Sequence, residues 1–337
     1  MRTLPEPRGP LTTALFDALA RPVHTLGALP DVVTADPLGD EDLQLALYAC
    51  YELHYRGLPG VDERWEWSPS LLAARQQLEA VFEGALRELA GGDGAVAAPE
   101  DMDLALRAVA DADDAPSVSL RLERDATVEQ VLEFVVHRSA YQLKEADPHS
   151  WALPRLDGPA KAALVEIQAD EYGGGRPDRI HAQMFADTMG ALGLDARYGA
   201  YLDHVPGVTL ATVNLMSLCG LHRRLRGAIV GHIALFEMTS SIPNRRYARG
   251  LRRLGFDSPE ATAFFDEHVE ADAVHENLAA VDLAGGFARQ EPALAGQVLW
   301  GARAMLALDD RWARHVVGAW DAGRSSLRAP VSVPAGA

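Results

Sequence analysis

The chain has 337 residues, of which 48% are hydrophobic and 23% charged, as expected for a globular protein with one or two domains. Its net charge of -17 argues against nucleic acid or an anionic membrane surface as a partner. Cys50 and Cys219 cannot form a disulfide framework, and their apolar neighbours predict buried free thiols in a reducing cytoplasm. The N-terminus lacks the apolar stretch of a signal peptide, and no apolar run is long enough to cross a bilayer.

Leucine and alanine recur at helical spacing, and alternating runs of β-branched residues are scarce, which predicts an all-α protein. Helices are predicted near 41–55, 69–90, 101–110, 127–145, 159–171, 178–192, 195–203, 208–239, 243–254, 259–282 and 292–321. Segment 91–125 is rich in Ala, Gly and Asp and contains a possible short strand at 117–123. We therefore predict an N-terminal helical region over 1–125, a second domain over 126–325 and a disordered tail over 326–337.

The stretch 268–275 places two imidazoles and a carboxylate at positions i, i+4 and i+7. On a helix, His268, Asp272 and His275 fall within about 60° of one another on one face. These side chains suit iron or a similar transition metal. A plain amphipathic helix could show the same spacing, so a metal site requires ligands from other helices. Glycines on both sides of this helix predict that segment 259–282 is mobile or irregular in the metal-free protein.

Glu237 is a second candidate ligand, because it lies in an otherwise apolar turn where an unpartnered carboxylate would be costly to bury. The alternative is that its helix ends nearby and the carboxylate reaches solvent.

A third candidate region runs from Glu171, which ends a predicted helix, through three glycines to Asp178 and His181. The glycines permit a sharp turn that folds Glu171 back toward His181. Solvated charges at a tight turn are the alternative. Glu145, at the end of the predicted helix 127–145, is a further candidate carboxylate, with a surface position as its alternative.

The order of these residues resembles the haem-oxygenase-like di-iron oxidases and oxygenases, a family of iron-containing redox enzymes. That family's pattern is a carboxylate shortly before a histidine, then a glutamate on a later helix, then His-x3-Asp-x2-His. Here Glu237 follows His181 by 56 residues, and His268 follows Glu237 by 31. The resemblance covers roughly residues 125–325. It departs at Asp178, where many relatives carry glutamate, so either Asp178 or Glu171 would take that place.

The resemblance implies a haem-oxygenase-like helical bundle, with residues 1–125 as an added helical layer or dimerisation element. It implies two Fe(II)/Fe(III) ions and O2 as co-substrate, with a peroxo-di-iron(III) intermediate and an external electron donor such as a reductase. The implied ligands are Glu145, Glu171, Asp178, His181, Glu237, His268, Asp272 and His275.

Extra carboxylates around the site are similar to those of N-oxygenases, which favours N-oxygenation of a small amine or amino-acid-derived metabolite in secondary metabolism. The alternatives are oxidative C–C cleavage, decarboxylation or desaturation on the same scaffold, and a metal-binding helical protein without catalysis.

Overall fold

The computed structural model describes residues 4–93 and 98–331, without the side chains of residues 270–274. Its helices are α1 (Pro10–Leu19), α2 (Glu41–Glu52), α3 (Pro69–Ala90), α4 (Met102–Asp111), α5 (Val118–Arg124), α6 (Val128–Gln142), α7 (Asp147–Ser150), α8 (Gly158–Glu171), α9 (His181–Ala191), α10 (Gly207–Leu221), α11 (Arg226–Arg253), α12 (Pro259–Asn277), α13 (Gly286–Gln290) and α14 (Ala295–Asp321). Short 3₁₀ turns and loops connect them, and no strand occurs among the described residues. The all-α prediction is confirmed.

Several predicted boundaries are wrong. The possible strand at 117–123 is helix α5, where the Ser117 side chain accepts a hydrogen bond from the Leu120 amide and so caps the first turn. Residues 195–203 form turns rather than a helix. The predicted helix 208–239 is interrupted at His222, whose backbone is extended.

The helix that follows, α11, runs through Pro243 to Arg253 without a break. Proline removes one backbone donor there, and the Asn244 amide donates to the Ser240 carbonyl at 3.1 Å within the same turn.

Helices α11 and α14 cross at the centre of the molecule, where glycines allow a very close approach. A Cβ at Gly231 would lie 1.8 Å from the Val298 carbonyl oxygen, and one at Gly301 would lie 2.0 Å from that of Ala228. No other residue type fits these two positions without moving a helix. The crossing fixes the part of α11 that precedes Glu237.

Helix α12 packs against both α11 and α9. It ends at Asn277 and continues as a π-helix over Leu278–Gly285. The π-helix overlaps the segment 259–282, predicted to be mobile or irregular, only at its end, because residues 259–277 form a regular α-helix. The mobility of this segment stays a prediction.

The N-terminal helices share one hydrophobic core with the rest of the chain, and α2 packs against α10. A buried ion pair joins the two parts, because Lys144 Nζ donates to Glu52 Oε2 at 3.0 Å. A domain boundary at 125/126 stays a prediction. Ser326, the first residue of the predicted disordered tail, is instead buried, and its hydroxyl donates to Glu133 Oε2 at 2.6 Å.

Cys50 and Cys219 are buried free thiols, as predicted. Among the described residues, no helix has both the length and the apolarity that a bilayer crossing needs.

Candidate metal centre

Buried carboxylates and imidazoles from five parts of the fold converge between α6, α8, α9, α11 and α12. We call these residues the metal cluster: Glu145, Glu171, His181, Glu237, His268 and His275. All six are buried. So many ionisable groups away from water are costly unless they are paired or bind a metal.

Glu145 lies in the tight turn between α6 and α7 rather than on a helix. The next residue, Ala146, is the one described non-glycine residue with positive φ, at 71°. The Gln168 amide donates to the Ala146 carbonyl at 2.8 Å and holds this unfavourable conformation. The Gln142 amide donates to Glu145 Oε1 at 3.0 Å, so the turn directs the carboxylate inward.

Glu171 and His181 lie on the two sides of the triple-glycine turn. Gly173 has φ 68°, and a Cβ there would lie 2.6 Å from the carbonyl carbon of Arg179, so only glycine fits. The turn brings the end of α8 against the start of α9, and His181 Nδ1 donates to Glu171 Oε2 at 3.0 Å. The fold-back predicted from the glycines is confirmed.

The histidines of α12 face opposite ends of the metal cluster. His268 Nδ1 donates to the Phe264 carbonyl at 2.7 Å, which directs Nε2 toward Glu145 Oε1, 3.7 Å away. His275 Nδ1 lies 3.3 Å from Glu237 Oε2, and its Nε2 lies 3.0 Å from Asp170 Oδ2. Hydrogen bonds of this kind orient a histidine for metal binding.

The ligand atoms fall into two overlapping groups. Glu145, Glu171, His181 and His268 each offer one atom within 4.8 Å of the others, and so do Glu171, Glu237 and His275. Glu171 belongs to both groups. Its carboxylate therefore lies where it could bridge two cations.

In this metal cluster, burial and pairing with opposite charges shift the pKa values of the side chains in opposite directions. Burial raises the pKa of Glu145 and of Glu237 more than their histidine partners lower it. Burial is also the largest single influence on the pKa of Glu171 and raises it, but the His181 charge and hydrogen bond together with the charges of His268 and His275 outweigh burial, so that this pKa is lowered. For His275 burial lowers the pKa, whereas the hydrogen bond to Glu237 and its charge raise it to about 9.

The donor set fits iron. Glu145 Oε2 is buried and has no hydrogen-bond partner among the described residues, which is a costly state that a cation would relieve. Mixed carboxylate and imidazole ligands from facing helices are those of di-iron carboxylate proteins. Thiolates, which zinc sites often use, are absent from both groups.

Asp178, one of the predicted ligands, does not lie in the metal cluster, and for Asp272 the structure describes only the backbone. Asp178 is on the surface, where its carboxylate accepts from Arg176 at 3.1 Å, so the structure does not bring it to the metal cluster. Of the two alternatives, Glu171 or Asp178, it is Glu171 that lies with the other candidate ligands. Asp272 belongs to α12, and its side chain lies outside the described residues.

Sequence reasoning missed Asp170, which contacts His275 although its side chain is 61% exposed. The neighbouring Glu171 was the only signal that could have pointed to it. His149 and His232 form a buried hydrogen-bonded pair at 3.1 Å near the metal cluster.

A cavity of about 190 Å³ adjoins the metal cluster at His268. Its walls near the metal cluster are aromatic: Phe185, Phe236, Phe264 and Phe265. Such walls exclude water from a reactive centre and leave room for a small organic molecule.

A sequence profile of the family described as iron-containing redox enzyme matches residues 132–310, which contain the whole metal cluster. A 138-residue segment is 30% identical to the nitrosourea synthase of Streptomyces achromogenes subsp. streptozoticus. The match spans 41% of this chain and 29% of that protein, so the chain corresponds to less than a third of its relative's length.

Proposed function

This chain belongs to the family of iron-containing redox enzymes and is an oxidoreductase, and we propose that it oxidises a small organic substrate with O2 at two iron ions. The observation that carries this proposal is the pair of overlapping ligand groups that share Glu171. A single carboxylate common to two sets of ligands is the arrangement that a bridged pair of metal ions needs.

We assign one ion to Glu145, His181 and His268 and the other to Glu237 and His275, with Glu171 between them. Asp272, four residues after His268 on α12, completes the second site in this proposal. Including Asp272, four carboxylates then balance the charge of two Fe(II) ions. This charge balance would offset the free-energy cost of removing the ligands from water.

Bound iron would supply electrons to O2, and an external electron donor would restore them. The protein's own residues would orient and protect the site. Asp170 holds the His275 ring, the Phe264 carbonyl holds the His268 ring, and the aromatic walls exclude water.

We propose that the oxidised atom is a nitrogen of a small amine or amino-acid-derived metabolite. A nitrosourea carries an oxidised nitrogen, so the name of the relative favours this reaction over C–C cleavage or desaturation.

The test is anaerobic titration of the purified chain with Fe(II), followed by O2. We expect two irons per chain and consumption of O2 with loss of Fe(II). Glu171→Ala should reduce the iron content to one or none, because both groups lose a ligand. Glu166→Ala, on the exposed face of the same helix, is the matched control and should bind two irons. Equal iron binding by both variants would contradict the proposal.

A further inference from the structure

The cavity beside the metal cluster has a charged end as well as an aromatic one. Gln142, Phe236 and His268 line the end at the metal cluster, whereas Arg138 and Asp309 belong to the same cavity wall. Arg138 lies one helical turn before Gln142 on α6, about 6 Å along the helix axis. Arg138 is thus separated from Gln142, at the metal-cluster end of the cavity, by about the length of a small side chain.

The ion pairs found among the described residues do not include Arg138, although Asp309 is close enough to interact with its charge. Its guanidinium lies over the Trp312 ring, 4.6 Å from the centroid, and its hydrogen bond goes to the neutral Tyr247 hydroxyl. Stacking on an aromatic face holds a guanidinium in place but leaves its forked donors available for a carboxylate.

Asp309 enters the cavity from α14. Burial raises its pKa, with Arg138 acting in the opposite direction, and no described residue donates a hydrogen bond to it. Asp309 is half-buried, and a carboxylate partly withdrawn from water without a donor is stabilised by a cationic partner. Asp113 also lines the cavity but is exposed, so water can solvate it.

We propose that Arg138 and Asp309 bind the carboxylate and the ammonium group of a free amino acid, whose side chain extends past Phe236 to the metal cluster. Each charge of this zwitterion meets an opposite charge on the protein, whereas a simple amine or a simple acid would meet only one of the two. This assignment rests on the proposed function for its reactive end, but binding of the head group needs only the cavity.

The experiment measures binding to the purified chain, metal-free and Fe(II)-loaded under argon, by calorimetry. The probes are the proteinogenic amino acids, L-ornithine and L-norleucine, each beside its decarboxylated and its deaminated analogue. At least one zwitterion should bind roughly tenfold to a hundredfold more tightly than both of its analogues. The preference over the decarboxylated analogue should disappear in Arg138→Gln, and that over the deaminated analogue in Asp309→Asn.

Asp310→Asn is the matched control, because Asp310 pairs with Arg314 on the outer side of α14. It should retain both preferences, and circular dichroism should show wild-type helicity in all three variants. If no zwitterion binds better than both analogues, or if Arg138→Gln and Asp309→Asn retain the preferences, the assignment is wrong. Iron content distinguishes the two proposals. If the chain binds two irons but shows no preference for a zwitterion, only this inference is contradicted. If a zwitterion binds with the expected preference but the chain takes up no iron, only the proposed function is contradicted.

Discussion

Gly231→Ala tests how the α11–α14 crossing supports the metal cluster. The added Cβ would lie 1.8 Å from the Val298 carbonyl oxygen, whereas real Cβ contacts stay above 3.0 Å, so the helices must separate by about 1.2 Å. The contact is with backbone, which cannot rotate away. Forced separation of packed core elements typically costs about 1–3 kcal/mol, and the rigidity of both partners places this variant at the upper end.

Gly84→Ala is the matched control, since Gly84 is exposed on α3 and a Cβ there meets nothing within 4 Å. The same chemical change should raise the free energy of unfolding by about 0.5–1 kcal/mol, because alanine favours a helix more than glycine does. The two variants should therefore shift stability in opposite directions. Urea unfolding followed by circular dichroism measures both shifts.

Gly231→Ala should also weaken iron binding, because Glu237 lies six residues further along the same helix, about 9 Å away along its axis. Gly84→Ala should leave the iron affinity unchanged. If Gly231→Ala unfolds within about 0.5 kcal/mol of the wild type, the close crossing does not exist in solution as described.

Three further predictions concern other parts of the chain. Burial lowers the pKa of His137 from 6.5 to about 3, so the unfolded state binds the extra proton, and the free energy of unfolding should fall as pH drops through 6.5 toward 3. His137→Gln should show a shallower fall in urea titrations at several pH values, and an identical slope would refute this. Asp170→Asn should weaken iron binding about tenfold or more with unchanged stability, because the His275 ring loses its carboxylate partner; unaltered affinity would show that Asp170 has no such role. Glu52→Ala should lower the free energy of unfolding by about 3–5 kcal/mol, since it leaves the Lys144 ammonium buried without its partner; a loss below about 1 kcal/mol would mean that this pair is open to water.

Helical periodicity and ligand order predicted the fold class and most of the metal cluster. Glu171 and His181 could be placed together because a glycine turn constrains backbone locally, and the α12 histidines because a helix has a fixed period. These inferences need only short-range geometry.

Contacts between distant segments, and local departures from regular structure, could not be predicted from the sequence. Asp178 has the correct spacing from His181, but its turn directs the carboxylate to Arg176 at the surface. The role of Asp170 depends on how α8 docks against α12, which no local pattern records. The continuity of α11 through Pro243 likewise depends on packing along its whole length rather than on propensity at one residue.

The most direct test of the central claim is an anomalous difference map from crystals of the chain loaded with Fe(II) under argon. Two iron peaks should lie on either side of the Glu171 carboxylate, one beside His181 and His268 and the other beside Glu237 and His275. A single peak, or iron bound away from Glu171, would contradict the account.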